Sequence, residues 1–483
     1  MSDKSNKLND RILDNLAFVP TEDQKNVSIH LDAFTLSQKD NPVYLLKGYA
    51  GTGKTSMISA YVHSLIKLGI KFVLLAPTGR AAKVLSHYTG YQAHTIHRYI
   101  YIFMTNKDGV TNIVLSPNKL KNTVFIIDEA SMISDTSQAN SKVFGNNSLL
   151  DDVVRYIFSQ RGNKLMLVGD TAQLPPVGIA LSPALDLENL KRAYSVTAFQ
   201  FEMKEVMRQT LDSGILTSAT IIRTKIENGI TDGPFFKISD DNKDVNVISD
   251  AYEFGELLME SFTDSEMDNG IIICRSNKQA NMYNNQIRSR ILMRESEVEA
   301  GDMIMVVKNN YFWLDKDSKA GFIANGDILR IIRFKDIEEL YGFRFADVDV
   351  QLVDYPEEKE LNVKILLDTI ETNAPGLLEK DNLRLFASVE ESYMDYPNRR
   401  TRLNKIKANP YFNALHVKFS YAMTCHKTQG GQWNNVFLDK GYLKDDDTNI
   451  EYLRWLYTAT TRATERLNLI GFSPDYFDKV EAE

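Results

Sequence analysis

The chain has 483 residues, 43% hydrophobic and 25% charged, a globular composition too long for one ordinary core, so roughly two to four domains are expected. Its net charge of −8 excludes a uniformly basic nucleic-acid binder but not a local basic groove, and the two cysteines, Cys274 and Cys425, exclude a disulfide scaffold and a four-cysteine zinc site. No apolar run approaches the length of a bilayer span and the polar segment Met1–Asn15 has no signal core, so a cytoplasmic protein with no membrane partner is expected.

The first half of the chain alternates strands with helices. Thr21-Glu22-Asp23-Gln24 has the spacing of a capping box that starts a helix. Val43 to Lys47 is a short apolar strand. Ile58, Tyr61, Val62, Leu65 and Ile66 then recur at helical spacing until Gly69. Phe72 to Ala76, Val124 to Ile127 and Leu165 to Val168 are further apolar strands. All-apolar strands separated by helices predict a parallel sheet covered on both faces. Tyr99 to Asn122 interrupts the pattern, with the turn Asn106-Lys107-Asp108-Gly109 marking an inserted β-hairpin.

A second α/β pattern starts near Val196 and includes a strand at Ile271 to Cys274. From Gly301 to Asn413 the texture becomes antiparallel. Ala346, Val348, Val350 and Leu352 alternate with polar residues, and Ile328 to Phe334 and Leu361 to Leu367 read as strands. A small β-barrel insertion is expected, ending in the basic stretch Arg399 to Lys407. The Tyr-rich Ser392 to Pro397 beside it reads as a solvated loop. The α/β pattern resumes at Val417. There is no internal repeat. The expected division is a first α/β domain at 1–98 and 123–195, its hairpin at 99–122, a second α/β domain at 196–300 and 413–483, and the barrel at 301–412.

Two motifs carry chemistry on their own residues. Gly48-Tyr49-Ala50-Gly51-Thr52-Gly53-Lys54-Thr55, followed by Ser56, has the G-x-x-x-x-G-K-[ST] pattern of a phosphate loop and stands between a strand and a helix. Gly51, Thr52 and Gly53 let the backbone wrap a phosphate. Lys54 would reach the β- and γ-phosphates, and the Thr55 hydroxyl would ligate Mg²⁺. Phe125-Ile126-Ile127-Asp128-Glu129 is an apolar strand ending in two acids. Asp128 would hold Mg²⁺ through water, and Glu129 would polarise the attacking water. Two acids in place of one point to ATP hydrolysis.

With these and the runs that follow, the chain resembles a superfamily 1B DNA helicase of the RecD and phage Dda type, over Thr21 to Arg466. The resemblance implies two RecA-like domains, the first with a β-hairpin insertion and the second with an SH3-like barrel insertion. It implies that Gln24 reads adenine. Ala76-Pro77-Thr78-Gly79-Arg80 resembles motif Ia and Ala93-His94-Thr95-Ile96-His97-Arg98 resembles motif Ib, so Pro77, Thr78, Gly79, Arg80, Thr95 and His97 would grip the single strand. Gly169-Asp170-Thr171-Ala172-Gln173 resembles motif III, with Gln173 sensing the γ-phosphate. Glu205-Val206-Met207-Arg208-Gln209 resembles motif IV, with Arg208 reaching the same phosphate. Arg275-Ser276-Asn277, with Asn281, Asn284 and Arg288, resembles a second-domain strand contact, Asn277 foremost. The family usually has Thr where Arg275 or Ser276 stands. Tyr421 to Gly430 resembles motif V, with Thr424 and His426 towards the strand and Gly430 towards the nucleotide. Leu456 to Ala463 resembles motif VI, with Arg462 as the arginine finger.

The resemblance further implies ATP and Mg²⁺ as cofactors, 5′ to 3′ movement, and single-stranded DNA and single-strand/duplex junctions as partners. The hairpin would be the wedge, with Met104, Thr105 and Asn106 at its tip. Protein partners in replication, repair or recombination are compatible with it. An RNA translocase or a motor that strips proteins from DNA would share these motifs. A P-loop phosphotransferase or a nucleotide-gated interaction module would not need motifs III, V and VI together.

Overall fold

In the computed structural model, residues 2–105, 111–134, 148–179, 181–206, 213–238, 244–262, 270–314, 318, 320–443 and 448–479 are described. The chain opens with α1 (Ser2–Asp14) and α2 (Glu22–Leu36), the latter started by the capping box of Thr21 and Gln24. There follow β1 (Pro42–Gly48), α3 (Lys54–Lys67), β2 (Lys71–Ala76), α4 (Gly79–Thr89), β3 (Ala93–Thr95) and α5 (Ile96–Ile100). The hairpin β4 (Tyr101–Thr105) and β5 (Thr111–Leu115) is antiparallel, and its tip, with Asn106, lies outside the described residues. The domain is completed by β6 (Thr123–Ile127), α6 (Leu149–Phe158), β7 (Lys164–Gly169), α7 (Leu187–Tyr194) and β8 (Thr197–Met203).

The strands form one parallel sheet in the order β3-β2-β6-β7-β1-β8. Strand period two sends alternate residues to opposite faces. Tyr44, Leu46, Ile126 and Val168 pack against α1 to α4 on one side. Val43, Leu45, Ile127 and Leu167 pack against α5 to α7 on the other. Both faces are therefore dry, which is why the strands read as unbroken apolar runs.

The second half runs through α8 (Gly214–Asn228), β9 (Phe236–Ile238), β10 (Val245–Val247), α9 (Ala251–Phe262), β11 (Gly270–Cys274) and α10 (Asn277–Gln286). The barrel strands are β12 (Met303–Val306), β13 (Ile328–Leu340), β14 (Phe343–Leu352), β15 (Leu361–Leu366) and, after α11 (Asp368–Glu371), α12 (Glu379–Glu391) and α13 (Arg399–Lys407), β16 (Leu415–Phe419). The chain ends with β17 (Ala422–Thr424), α14 (Cys425–Thr428), β18 (Trp433–Asp439), α15 (Ile450–Thr460), β19 (Ala463–Ile470) and β20 (Phe477–Lys479). The second sheet is parallel, in the order β10-β19-β18-β11-β17.

The two RecA-like α/β domains and the closed barrel match the expected fold class, with two boundary corrections. β8 hydrogen-bonds along β1, so the first sheet extends past residue 195. β16 closes the barrel against β12 and β15, so the barrel extends past residue 412. In both cases the local apolar pattern reveals a strand but not its partner, which lies far away in sequence. Part of the Tyr-rich segment also packs. Tyr393 borders the small core beneath α12 and α13, and Lys405 lies 5.6 Å from the centre of the Tyr396 ring.

A buried ion pair joins the helical turn after α10 to the start of the barrel. Arg288 Nε donates to Asp302 Oδ1 at 3.0 Å and Nη2 to Oδ2 at 2.8 Å, while the guanidinium covers the Phe419 ring at 4.2 Å. Asp302 also accepts from the Glu299 amide and the Tyr421 hydroxyl. Removing one partner of such a pair strands the other charge. Asp302→Ala is expected to lower stability by about 3–5 kcal/mol, read as a fall in urea midpoint at unchanged slope.

Candidate functional site

The phosphate loop joins β1 to α3 at the carboxyl end of the first sheet. Gly51 and Gly53 stand at φ of 77° and 85°, where a side chain would be strained. The Lys54 ammonium curls under the loop and donates to the carbonyls of Gly48 at 2.7 Å and Tyr49 at 2.9 Å. Thr52 is buried, and its hydroxyl donates to the Tyr49 carbonyl at 2.8 Å. Thr55 and Ser56 open α3 half-buried.

Gln24 is fully buried and both ends of its amide are engaged. Oε1 accepts from the Thr21 amide and Nε2 donates to the Thr52 carbonyl at 3.2 Å. In this arrangement Gln24 braces the loop in addition to capping α2.

The acidic half lies at the end of β6, on the neighbouring side of the sheet. The Glu129 amide donates to Asp128 Oδ1 at 2.9 Å, and Glu129 itself stands at φ of 53°. A non-glycine residue held there is strained, and such strain collects at functional sites. Burial, then the Glu129 charge, pushes the Asp128 carboxyl up to about 7, against the pull of Lys54. Gln173, on the loop after β7, is buried, and its Oε1 accepts no hydrogen bond from the chain.

These residues fit a nucleotide: positive-φ glycines at a helix start, a lysine, two acids and an orphaned amide oxygen. Among the described residues no cluster of three or more His, Cys, Asp or Glu side chains is placed to hold a metal. A divalent cation at Thr55 and Asp128 would have to complete its shell from phosphate oxygens and water, as magnesium does.

The site continues into the second domain through α15. Tyr457 Oη accepts from the Ala50 amide of the phosphate loop at 2.9 Å and donates to Asp170 Oδ2 at 2.6 Å. The Leu174 amide donates to Thr458 Oγ1 at 2.8 Å, and Gln429 Nε2 donates to the Leu174 carbonyl at 2.6 Å. Arg454 Nη1 donates to the Thr171 carbonyl at 2.7 Å. Arg223, on α8, stacks over the Tyr49 ring at 4.5 Å, with Nε and Nη1 buried and unbonded. Sequence reading singled out none of Arg223, Arg454, Tyr457 or Thr458. Three of them lie within or beside motif VI, so the run was visible but its cross-domain bonds were not.

Arg462, expected as the arginine finger, is buried within the second domain. Its Nε donates to the Thr458 carbonyl, Nη1 to that of Gly431 and Nη2 to Thr461 Oγ1. Arg208 lies outside the described residues. Gly430, expected at the nucleotide, packs against motif Ia instead. A Cβ there would lie 2.9 Å from Ala81 Cβ and 3.0 Å from Thr78 Oγ1.

The expected strand contacts divide into exposed and committed groups. Pro77, Thr78 and Arg80 are half-buried at the start of α4, and Gly79 is buried. Arg80 stacks on Trp433 at 4.0 Å and donates to the Gln432 carbonyl, so motif Ia meets the end of motif V directly. His426 is exposed, and Thr424 and Asn277 are half-buried. Thr95 is buried and caps α5 by accepting the Arg98 amide. Burial pushes the His97 imidazole down to about 4, so it is neutral at pH 7 and offers a phosphate no charge. Asn281, Asn284 and Arg288 serve the fold. Asn281 holds the carbonyls of Glu371 and Thr372, Asn284 those of Phe419 and Ala422, and Arg288 holds Asp302.

Two family models match parts of the chain. An AAA domain matches residues 32–230 and a UvrD-like helicase C-terminal domain matches residues 419–470. The ATP-dependent DNA helicase dda of Enterobacteria phage T4 is 24% identical over 474 residues, covering 92% of this chain and 97% of that protein. The ATP-dependent RecD2 DNA helicase of Deinococcus radiodurans is 30% identical over 201 residues, 42% of this chain and 24% of that protein. A solved Pif1 helicase from Bacteroides, in complex with ADP-AlF3 and single-stranded DNA, aligns with a TM-score of 0.47 at 15% identity, over 95% of this chain and 94% of that one.

The Tyr457 hydroxyl serves a donor in one loop and an acceptor in another. Tyr457→Phe would leave the half-buried Ala50 amide and a buried Asp170 oxygen unpaired. A loss of about 1–3 kcal/mol is expected on urea unfolding. An unchanged midpoint would show that the bridge carries no stability.

Proposed function

As this chain is an ATP-hydrolysing DNA helicase of the superfamily 1B, RecD-like type, we propose that it moves 5′ to 3′ along single-stranded DNA and unwinds duplex ahead of it. The observation that carries the reading is the double tie across the cleft. The phosphate loop is bonded to α15, and the Gln173 loop to α15 and to Gln429 just after α14, all in the second domain, and the same domain meets motif Ia through Gly430 and Trp433. A change at the nucleotide is thereby felt at the strand.

ATP, held with Mg²⁺ at Lys54, Thr55 and Asp128, supplies the phosphoanhydride bond whose hydrolysis drives the cycle. The Glu129 carboxylate accepts the proton of the attacking water. The Gln173 amide oxygen is unbonded and available as the sensor. Thr78, Gly79, Arg80, Thr424, His426 and Asn277 are the proposed strand contacts, the first group on the first domain and the last three on the second. The hairpin β4–β5 is the proposed wedge. Breaking a base-pair step costs on the order of 1–2 kcal/mol, well within reach of one ATP.

The test is ATPase rate with and without single-stranded DNA or RNA oligonucleotides, in parallel. Stimulation by DNA is expected, and Glu129→Gln should lower the stimulated kcat by about 10²–10⁴-fold. Displacement is then measured on duplexes with a 5′ or a 3′ tail, with the 5′-tailed substrate expected to open. A rate indifferent to both nucleic acids would sink the motor. A preference for the 3′ tail would reverse the polarity.

A further inference from the structure

The start of motif Ia faces the barrel. Thr78 Oγ1 caps α4 by accepting the Ala81 amide. The start of a helix favours an anion. The anion that stands against Gly79 in this structure is a side chain. Asp327, just before β13, places its Oδ1 2.7 Å from where a Gly79 Cβ would stand, and Asp354 places its Oδ2 3.9 Å from that point.

Both side chains are more than nine-tenths buried, at 2% and 7% exposure. Neither of those two oxygens takes part in a hydrogen bond. Cations surround them. Arg98 of motif Ib donates through Nη2 to the other Asp327 oxygen at 3.1 Å and to the Phe322 carbonyl at 2.7 Å, and its guanidinium lies 4.5 Å from the centre of the Tyr355 ring. Its Nε and Nη1 are buried and unbonded. Lys83, on α4, reaches Asp354 Oδ1 at 3.4 Å.

Burying two carboxylates with one idle oxygen each is costly. Burial holds the Asp327 carboxyl up at about 6 in spite of Arg98. The other Asp327 oxygen also accepts from the Ala324 amide at 2.8 Å, so Oδ1 is the oxygen that the fold leaves open. Its position does have a chemical meaning. Helix amides, a lysine and an arginine together make the surroundings of a backbone phosphate. A glycine at position 79 is what lets an oxygen come so near.

We propose that Asp327, assisted by Asp354, occupies the motif Ia phosphate subsite as a surrogate for a strand phosphate, so that the barrel shuts the strand path until nucleic acid displaces it. The inference rests on the reading of Thr78 to Arg80 as strand contacts. In the strand-free state the barrel and the first domain are latched, and the strand gains its phosphate contacts only after separating Asp327 from Gly79 and Arg98.

Two measurements test this on the full chain. The first is the Kd for an oligo-dT strand, by fluorescence anisotropy without nucleotide and at fixed salt. Asp327→Asn combined with Asp354→Asn should bind roughly tenfold tighter than the wild type, because a shut state no longer has to be opened. The second uses Lys83→Cys with Asp354→Cys, joined by a bismaleimide whose linker a thiol cleaves. Cys274 and Cys425 are both buried, so the new pair is the reactive one. The joined protein should lose oligo-dT binding and regain it on cleavage. If the joined protein binds as well as the cleaved one, the latch is refuted, whatever the amide variant does. Unchanged or weaker binding by the amide variant at an unchanged melting temperature refutes the surrogate role. A wild type that binds no single strand at all would instead overturn the functional reading on which the inference rests.

Discussion

One buried hydroxyl holds the two halves of the site in register. Tyr457 Oη, from the second domain, stands between the Ala50 amide of the phosphate loop and the Asp170 carboxylate after β7. Both partners are loops at the carboxyl ends of β1 and β7, neighbouring strands of the first sheet. A shift of α15 must therefore move both loops or break a buried hydrogen bond, and an unpaired buried group costs more than the bond itself contributes. Thr458 and Gln429 repeat the constraint at Leu174. Between them sits Gln173, the residue whose amide oxygen is left open.

Charge is distributed to the same end. The chain is acidic overall, yet the groups around motif Ia are Arg80, Lys83 and Arg98. Their partners are a tryptophan face and two carboxylates of the barrel. A guanidinium can bond to a carboxylate and lie over an aromatic ring at once, and Arg98 does both, with Asp327 and Tyr355. The cations are thus engaged within the protein, Arg98 with two of its nitrogens left unbonded.

Local strain marks the catalytic end. Glu129 is held at positive φ, where its amide turns back onto the Asp128 carboxylate. Burial, and then the Glu129 charge beside it, raises the proton affinity of the Asp128 carboxyl. A divalent cation at Asp128 would offset that raised affinity. The barrel, by contrast, is tied down firmly. The Arg288–Asp302 pair and the continuous core of the second half join it to the second domain.

The sequence by itself determined what depends on neighbours along the chain. The phosphate loop, the strand ending in Asp128 and Glu129, the capping box at Thr21 and the period-two strands of the barrel are all readable because spacing and residue type express local geometry. So is the doubly covered first sheet, since strands dry on both faces must be apolar throughout. Only the tertiary structure decided which distant groups meet. It assigned β8 to the first sheet and β16 to the barrel, and turned Asn284 and Arg288 from expected strand contacts into supports of the core. It spent the Arg462 guanidinium on carbonyls of its own domain and chose Tyr457 as the bridge. A side chain's partners across a cleft depend on how two separately folded sheets are juxtaposed. No periodicity within either sheet encodes that.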